Sequence, residues 1–500
     1  MVRLLALMFA AALLVACAVH PVRPRSTQAT PMLDRSGLQA DVDVLQRTYA
    51  ALHPGLYRYN TPASLEAAYA ELRAALDHDV PLAEAYLAFS RFAARIRCGH
   101  TYANFFNQDD ATRAALFERP GRVPFHFRWV GERMIITRNF SGDARLVPGT
   151  EVLAIDGVPA AQLLRELMTV ARADGGNDGK RIAWLEVRGD EAIEAFDVFL
   201  PLFHPEFVGD YTLDARAPTS ARMRSRVHPA TFAERVAQRP ADTDAKVPWS
   251  LAIGGDGVAV MTMPTWALYE STWDWKAWLA DAFARLDAAH ATTLVIDLRA
   301  NEGGLSVGDE LAAHLVAHDT AVDDIVRLVR YRSVPAELMP NLHTWDRSFA
   351  DWGEATRPYD DRFLRLTRYG DEGGSSIIRP TPRRFAGKVF VLVGPTNSSA
   401  TFEFANLVKT HHLAMLVGRT TGGNRRGING GAFFFLRLPH SGIELDVPLI
   451  GQFPRTPQPD AGIEPDVVVT PTVAGIAAGI DEDLQAVRRL STGPASDAGP

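Results

Sequence analysis

An α/β fold on an open, mainly parallel sheet is predicted for the C-terminal half of this 500-residue chain. Three patterns carry the prediction. First, short apolar runs alternate with stretches of helical periodicity from residue 248 to 475. Strands are expected at 258–263, 293–298, 389–393 and 413–417, and helices at 273–289, 307–316 and 399–412. Further strands are expected near 432–438 and 443–449, and residues 332–385 read as an insertion. Second, residues 38–117 form an N-terminal helical domain. Leu45, Tyr49 and Leu52, then Leu65, Tyr69 and Leu72, then Leu82, Tyr86, Phe89, Phe92 and Ile96 mark three amphipathic helices. Third, residues 118–205 change to short strands at 133–137 and 151–155, with an Asp156-Gly157 turn and a helix at 160–170, so a small β-rich domain is expected. Residues 206–247 are polar and weakly periodic and read as a linker.

Composition bounds the function. Hydrophobic residues make up 47% and charged residues 22%, as in a globular protein of two or three domains. A net charge of −7 gives no basic footprint, so no nucleic-acid partner is expected. No apolar run beyond residue 20 is long enough to cross a bilayer. The first 17 residues read as a leader: Arg3, a continuous apolar run over 4–16, then Leu14-Val15-Ala16-Cys17. That ending resembles the lipobox of bacterial lipoproteins, which implies acylation of Cys17, a polar tether over 18–37 and a membrane-anchored, exported protein. Ala18, where an Asp would resemble the inner-membrane retention signal, points to the outer membrane facing the periplasm. Cys98, the other cysteine, reads as a small buried residue. Residues 476–500 read as a C-terminal helix followed by a disordered tail. In the β-rich domain over 118–205, the phrase PGTEVLAIDGVPAAQLL resembles the strand, tight turn and helix of a PDZ domain.

The chemistry gathers in residues 389–409, VFVLVGPTNSSATFEFANLVK. A buried strand hands over to a helix through Gly394, Pro395, Thr396 and Asn397, and Ser398 or Ser399 opens the helix. At such a junction backbone N–H groups and the helix dipole favour an oxyanion beside a hydroxyl. The simpler alternative is that both serines only cap the helix. A second segment, LVIDLRANEGG over 294–304, ends a strand in a loop with two glycines. Glycine lets a backbone N–H approach a substrate closely, so Gly303 or Gly304 could supply one oxyanion donor and Ala400 the other.

Taken together, DLRANEGG, the Ser399 segment and LVGRTTGGN over 416–424 resemble the signatures of the tail-specific, or C-terminal processing, serine peptidases. The resemblance implies peptide or protein substrates, an acyl-enzyme on Ser399 rather than Ser398, an oxyanion hole at Ala400 with Gly303 or Gly304, and no cofactor or metal. The Ser–Lys branch of that family has its lysine where this chain has Asn424. An amide is no base, and Arg425 and Arg426 stay charged; the two arginines read instead as substrate-binding. Cys98-Gly99-His100-Thr101 resembles the Gly-His-Thr segment of the tricorn-like branch, which implies His100 as the base. That branch has a serine before the histidine, where this chain has Gly99. Asp460, in PDAGIEPDV, is expected to orient the imidazole. A non-catalytic ligand-binding protein on the same fold and an esterase or amidase are the competing readings.

Overall fold

The computed structural model describes residues 31–118, 121–239, 246–322, 325–368 and 376–492. The leader with Cys17 and the tail beyond 492 lie outside the described residues.

The expected α/β core is present. Its six-stranded sheet runs Val467–Val468, Met415–Gly418, Lys388–Val393, Thr293–Asp297, Val258–Thr262 and Ser250–Ile253. Every neighbouring pair is parallel except the last, where the edge strand is antiparallel. Strand alternation divides the buried residues between two faces. Leu294, Ile296, Val391, Val393 and Leu416 face helices Trp275–Ala288, Val307–Ala313 and Ser399–Thr410. Val295, Phe390, Leu392 and Val417 face Ala486 and Val487 of the C-terminal helix, Glu482–Thr492. Both sides of the central strands are covered, which is why they read as continuous apolar runs.

Three expectations are corrected. The strands near 432–438 and 443–449 belong not to the parallel sheet but to a separate antiparallel one. Residues 332–385 are no excursion from the core. Leu342–His343, Thr356–Pro358 and Leu364–Leu366 build a six-stranded antiparallel sheet with Ile325–Val329, Asn429–Arg437 and Glu444–Pro454. Residues 206–247 are no linker either. Tyr211–Arg216 pairs with Glu151–Ile155 and with Arg222–Val227, completing the sheet begun by Phe125–Val130 and Arg133–Asn139. Their weak periodicity reflects arginine-rich faces turned outward. Arg235, in the helix Phe232–Ala237 of the same stretch, is fully buried and paired with Asp197 at 3.0 Å.

The helical segment has the three expected helices, Arg35–Leu52, Pro62–Ala75 and Leu82–Arg95. It shares one apolar core with the β-rich domain and the second sheet: Leu38, Leu45 and Phe89 belong to the same buried cluster as Phe127, Leu213, Phe434 and Leu445. No described helix is long and apolar enough to cross a membrane.

Candidate active site

Ser399 is the first residue of its helix and has φ of +51°, the left-handed region that a residue with a Cβ rarely adopts. Such strain costs about 1–3 kcal/mol and persists only where neighbours over-determine it. Here asparagines do so. Asn397 accepts from the Gly394 N–H at 2.7 Å and donates to the carbonyls of Leu298 and Asn301 at 2.5 and 2.9 Å. Asn301 donates to the Met263 carbonyl, and Thr401 donates to the Asn301 and Ser398 carbonyls. At about 1 kcal/mol net each, these bonds outweigh the strain. Together they lock the serine segment to the DLRANEGG loop.

The two serines have different surroundings. Ser398 stands at the N-cap position but makes no capping hydrogen bond. Its hydroxyl donates to the Glu302 carbonyl at 3.1 Å and lies 3.5 Å from Lys180 Nζ. The Ser399 side chain is half-buried and has no hydrogen-bond partner among the described residues.

The glycine pair is where the loop meets the serine. Gly303 and Gly304 have φ of +121° and +135°. A Cβ on Gly303 would lie 2.8 Å from Ser399 Cβ and 3.1 Å from the Ala400 nitrogen; one on Gly304 would lie 2.1 Å from the Trp266 backbone. Only glycine fits either place. The Gly303 N–H donates to Asn301 Oδ1 at 2.9 Å. The Ala400 and Gly304 N–H groups have no acceptor among the described residues.

His100 sits on a loop gripped from three sides. Gly99 N donates to Asp174 Oδ1 at 3.0 Å, Gly99 O accepts from Arg172 at 2.5 Å, and Thr101 meets His53 Nε2 at 2.8 Å. His53 Nδ1 accepts from the Gly55 N–H, so the proton is on Nε2 and His53 donates to Thr101. A Cβ on Gly99 would lie 2.7 Å from Asp174 Oδ2, which explains glycine where the tricorn-like pattern has serine. His100 is half-buried, and its Nδ1 is sealed from solvent with no partner. Burial pushes its pKa down to about 4; Arg172 and Lys180 act in the same direction, and Glu302 opposes them. Its ring lies 5.7 Å from that of Phe433, which adjoins the exposed Trp345 at 5.9 Å. No hydrogen bond joins His100 to Ser399 in this structure.

Asp460 does not orient the imidazole. Its Oδ1 accepts from the Gly176 N–H at 3.0 Å and from Asn424 Nδ2 at 2.7 Å. Asn424 is fully buried and also donates to the Asp174 carbonyl. The aspartate therefore reaches the His100 loop only through Asn424 and Asp174. Arg425 and Arg426 are exposed; Arg425 donates to Gln458 at 2.8 Å, and no contact links either to Ser399. Asp297 and Arg299 of the DLR triplet have a structural part: Arg299 binds Asp297 at 2.6 Å and reaches Asp481 and Asp483 at the start of the C-terminal helix. Cys98 is buried, and burial pushes its thiol up to about 11, so it carries little thiolate at neutral pH. Among the described residues no cluster of His, Cys, Asp and Glu could hold a metal.

Sequence reasoning missed Arg172, Lys180 and Glu302. Lys180 Nζ pairs with Glu302 and donates to the Thr396 carbonyl at 3.1 Å; Arg172 pairs with Glu302 at 3.0 Å. Burial alone would raise the Glu302 pKa, but Arg172, Lys180 and His100 outweigh it and hold it near 2. Only Glu302 lay inside a recognised motif. Both cations lie outside the recognised motifs.

Residues 257–469 match the family model of peptidase family S41, the segment that holds the parallel sheet, the DLRANEGG loop and the Ser399 helix. Over that segment the chain is similar to the S41 peptidases. Solved structures agree at the level of fold. Mature CPAF complexed with lactacystin superposes with a TM-score of 0.61 at 16% identity, covering 91% of this chain and 97% of that one. The CPAF s499a mutant gives 0.58 at 16% identity, covering 91% and 96%. No curated protein matches the chain by sequence.

Proposed function

We infer that this protein is a serine peptidase that works through an acyl-enzyme on Ser399. The observation that carries the reading is the strained φ of Ser399 beside two unengaged N–H groups, those of Ala400 and Gly304. Strain held at one hydroxyl-bearing residue, with donors beside it, is how a nucleophile and its oxyanion hole are arranged. Ser399 Oγ attacks the peptide carbonyl carbon, and its proton passes to His100. The tetrahedral oxyanion is held by Ala400 N–H and Gly304 N–H; Gly303 supports the loop through Asn301. The imidazolium returns the proton to the leaving amine, and water then releases the acyl group by the same route. His100 suits the part because, with a pKa near 4, it is neutral at pH 7 and free to accept a proton. The His100 ring, with neither nitrogen in a hydrogen bond, is free to turn toward Ser399 on its fixed loop.

The leader's Leu-Val-Ala-Cys ending supports a lipid anchor at Cys17 and a periplasm-facing enzyme. Hydrolysis of denatured protein and of simple esters tests the activity. Peptide cleavage lost in Ser399→Ala supports the reading; turnover of esters alone favours an esterase. Folded protein that turns over neither and never reacts at Ser399 favours a binding protein.

A further inference from the structure

Two segments must meet for the proposed chemistry, and they lie about 300 residues apart in sequence: the His100 loop and the Ser399 segment. One carboxylate connects both. Arg172 donates through one Nη to the Gly99 carbonyl at 2.5 Å and through the other to Glu302 Oε1 at 3.0 Å. Its guanidinium also lies over the Tyr102 ring at 4.5 Å. Lys180 takes the same Glu302 oxygen and reaches across to the Thr396 carbonyl and Ser398 Oγ. The relay therefore runs from the His100 loop through Arg172, Glu302 and Lys180 to the turn that aims Ser399. Glu302 itself precedes the glycine pair of the oxyanion loop, so all three parts of the site hang on it.

The cations come from outside the peptidase core. Arg172 lies in the loop before the helix Asp178–Trp184 of the β-rich domain, and Lys180 lies in its first turn. That stretch is docked on the core by further bonds. Asn177 donates to the Thr421 and Gly423 carbonyls at 2.8 and 3.1 Å, and Arg188 donates to Thr396 Oγ1 at 2.9 Å. The cation side chains are shielded, at 12% and 4% exposure, while Glu302 is 45% exposed. A shielded charge left without its partner is costly, which favours the closed relay over its separated parts.

We propose that Arg172, Glu302 and Lys180 form a positioning clamp, lent by the β-rich domain, that holds the His100 loop against the Ser399 turn. The clamp touches no substrate; it acts through His100 and Ser399, and so rests on their assignment above. It also makes the β-rich domain a working part of the site.

The test is the rate and pH dependence of Ser399 acylation by an activated ester, measured on the full chain. Glu302→Gln is nearly isosteric, at a half-exposed position. It leaves the charges of Arg172 and Lys180 uncompensated beside His100. Acylation slows about a hundredfold, as for a misplaced reacting group, and the acid limb of the profile moves to lower pH. Lys180→Met also slows acylation but removes a cation, so its acid limb moves to higher pH. Glu302→Asp keeps the charge without the reach; it restores the limb but not the rate. On a peptide substrate, kcat falls in each variant and KM changes little. Unreactive wild-type protein would refute the Ser399 assignment itself. Reactive wild type, with Glu302→Gln and Lys180→Met at the wild-type rate, or with acid limbs that stay put or move together, overturns the clamp. If Lys180→Met does not fold, the two Glu302 variants decide the matter.

Discussion

Asn424 explains itself by its neighbours. Its Nδ2 serves Asp460 and the Asp174 carbonyl, and its Oδ1 accepts from the Arg426 N–H at 3.0 Å. A lysine has donors and no acceptor. Asn424→Lys therefore strands the Arg426 N–H at a cost of about 1–3 kcal/mol. It does not restore reactivity to His100→Ala, which acylation of the double variant checks. The histidine carries its own pH signature. Because its folded pKa of about 4 is below the ordinary 6.5, reactivity persists to unusually low pH and is half lost near pH 4. The same shift has a stability consequence. Between pH 6.5 and 4 the unfolded chain binds a proton that the folded chain does not, so this group's contribution to stability is lost as pH falls through that window. The nucleophile was legible from a local strand-to-helix pattern. Its orienting partners were not: Arg172 and Lys180 look like any surface cation until the chain folds.

At the scale of elements, the loop after the strand Thr293–Asp297 is the most constrained piece. Gly304→Ala drives a methyl into the Trp266 backbone, 2.1 Å from its new carbon. The loop must shift, and the oxyanion donor shifts with it. Acylation falls about 10²–10³-fold, the usual effect of losing one such donor, while far-ultraviolet circular dichroism stays near wild type. In the β-rich domain, Asp197 is the charge partner of the buried Arg235. Asp197→Ala leaves that guanidinium buried and unpaired, so urea unfolding shows a loss of about 3–5 kcal/mol. These elements differ in how they could be read from sequence. The parallel strands were legible because burial on both faces gives plain apolar runs. Strands such as Arg222–Val227 were not, since one face carries Arg222, Arg224 and Arg226 and the run looks like a polar connector.

At the scale of the molecule, sequence order misled where the chain returns to an earlier layer. The helices over 35–95 looked like a separate domain, yet their apolar faces meet strands from residues 429–454 in one core. Hydrogen exchange should therefore show Arg35–Leu52 and the hairpin of Asn429–Arg437 with Glu444–Pro454 losing protection together. This layering also brings His100 toward the second sheet, where Gly430 and Phe433 border its ring. The central claim is that Ser399 is a nucleophile served by His100. Its most direct test is mass spectrometry of the full chain after fluorophosphonate treatment across pH. The account predicts one adduct, on Ser399, absent in Ser399→Ala, strongly slowed in His100→Ala, and with an acid limb near pH 4. An adduct on another residue, or on Ser399 at an unchanged rate without His100, would contradict it.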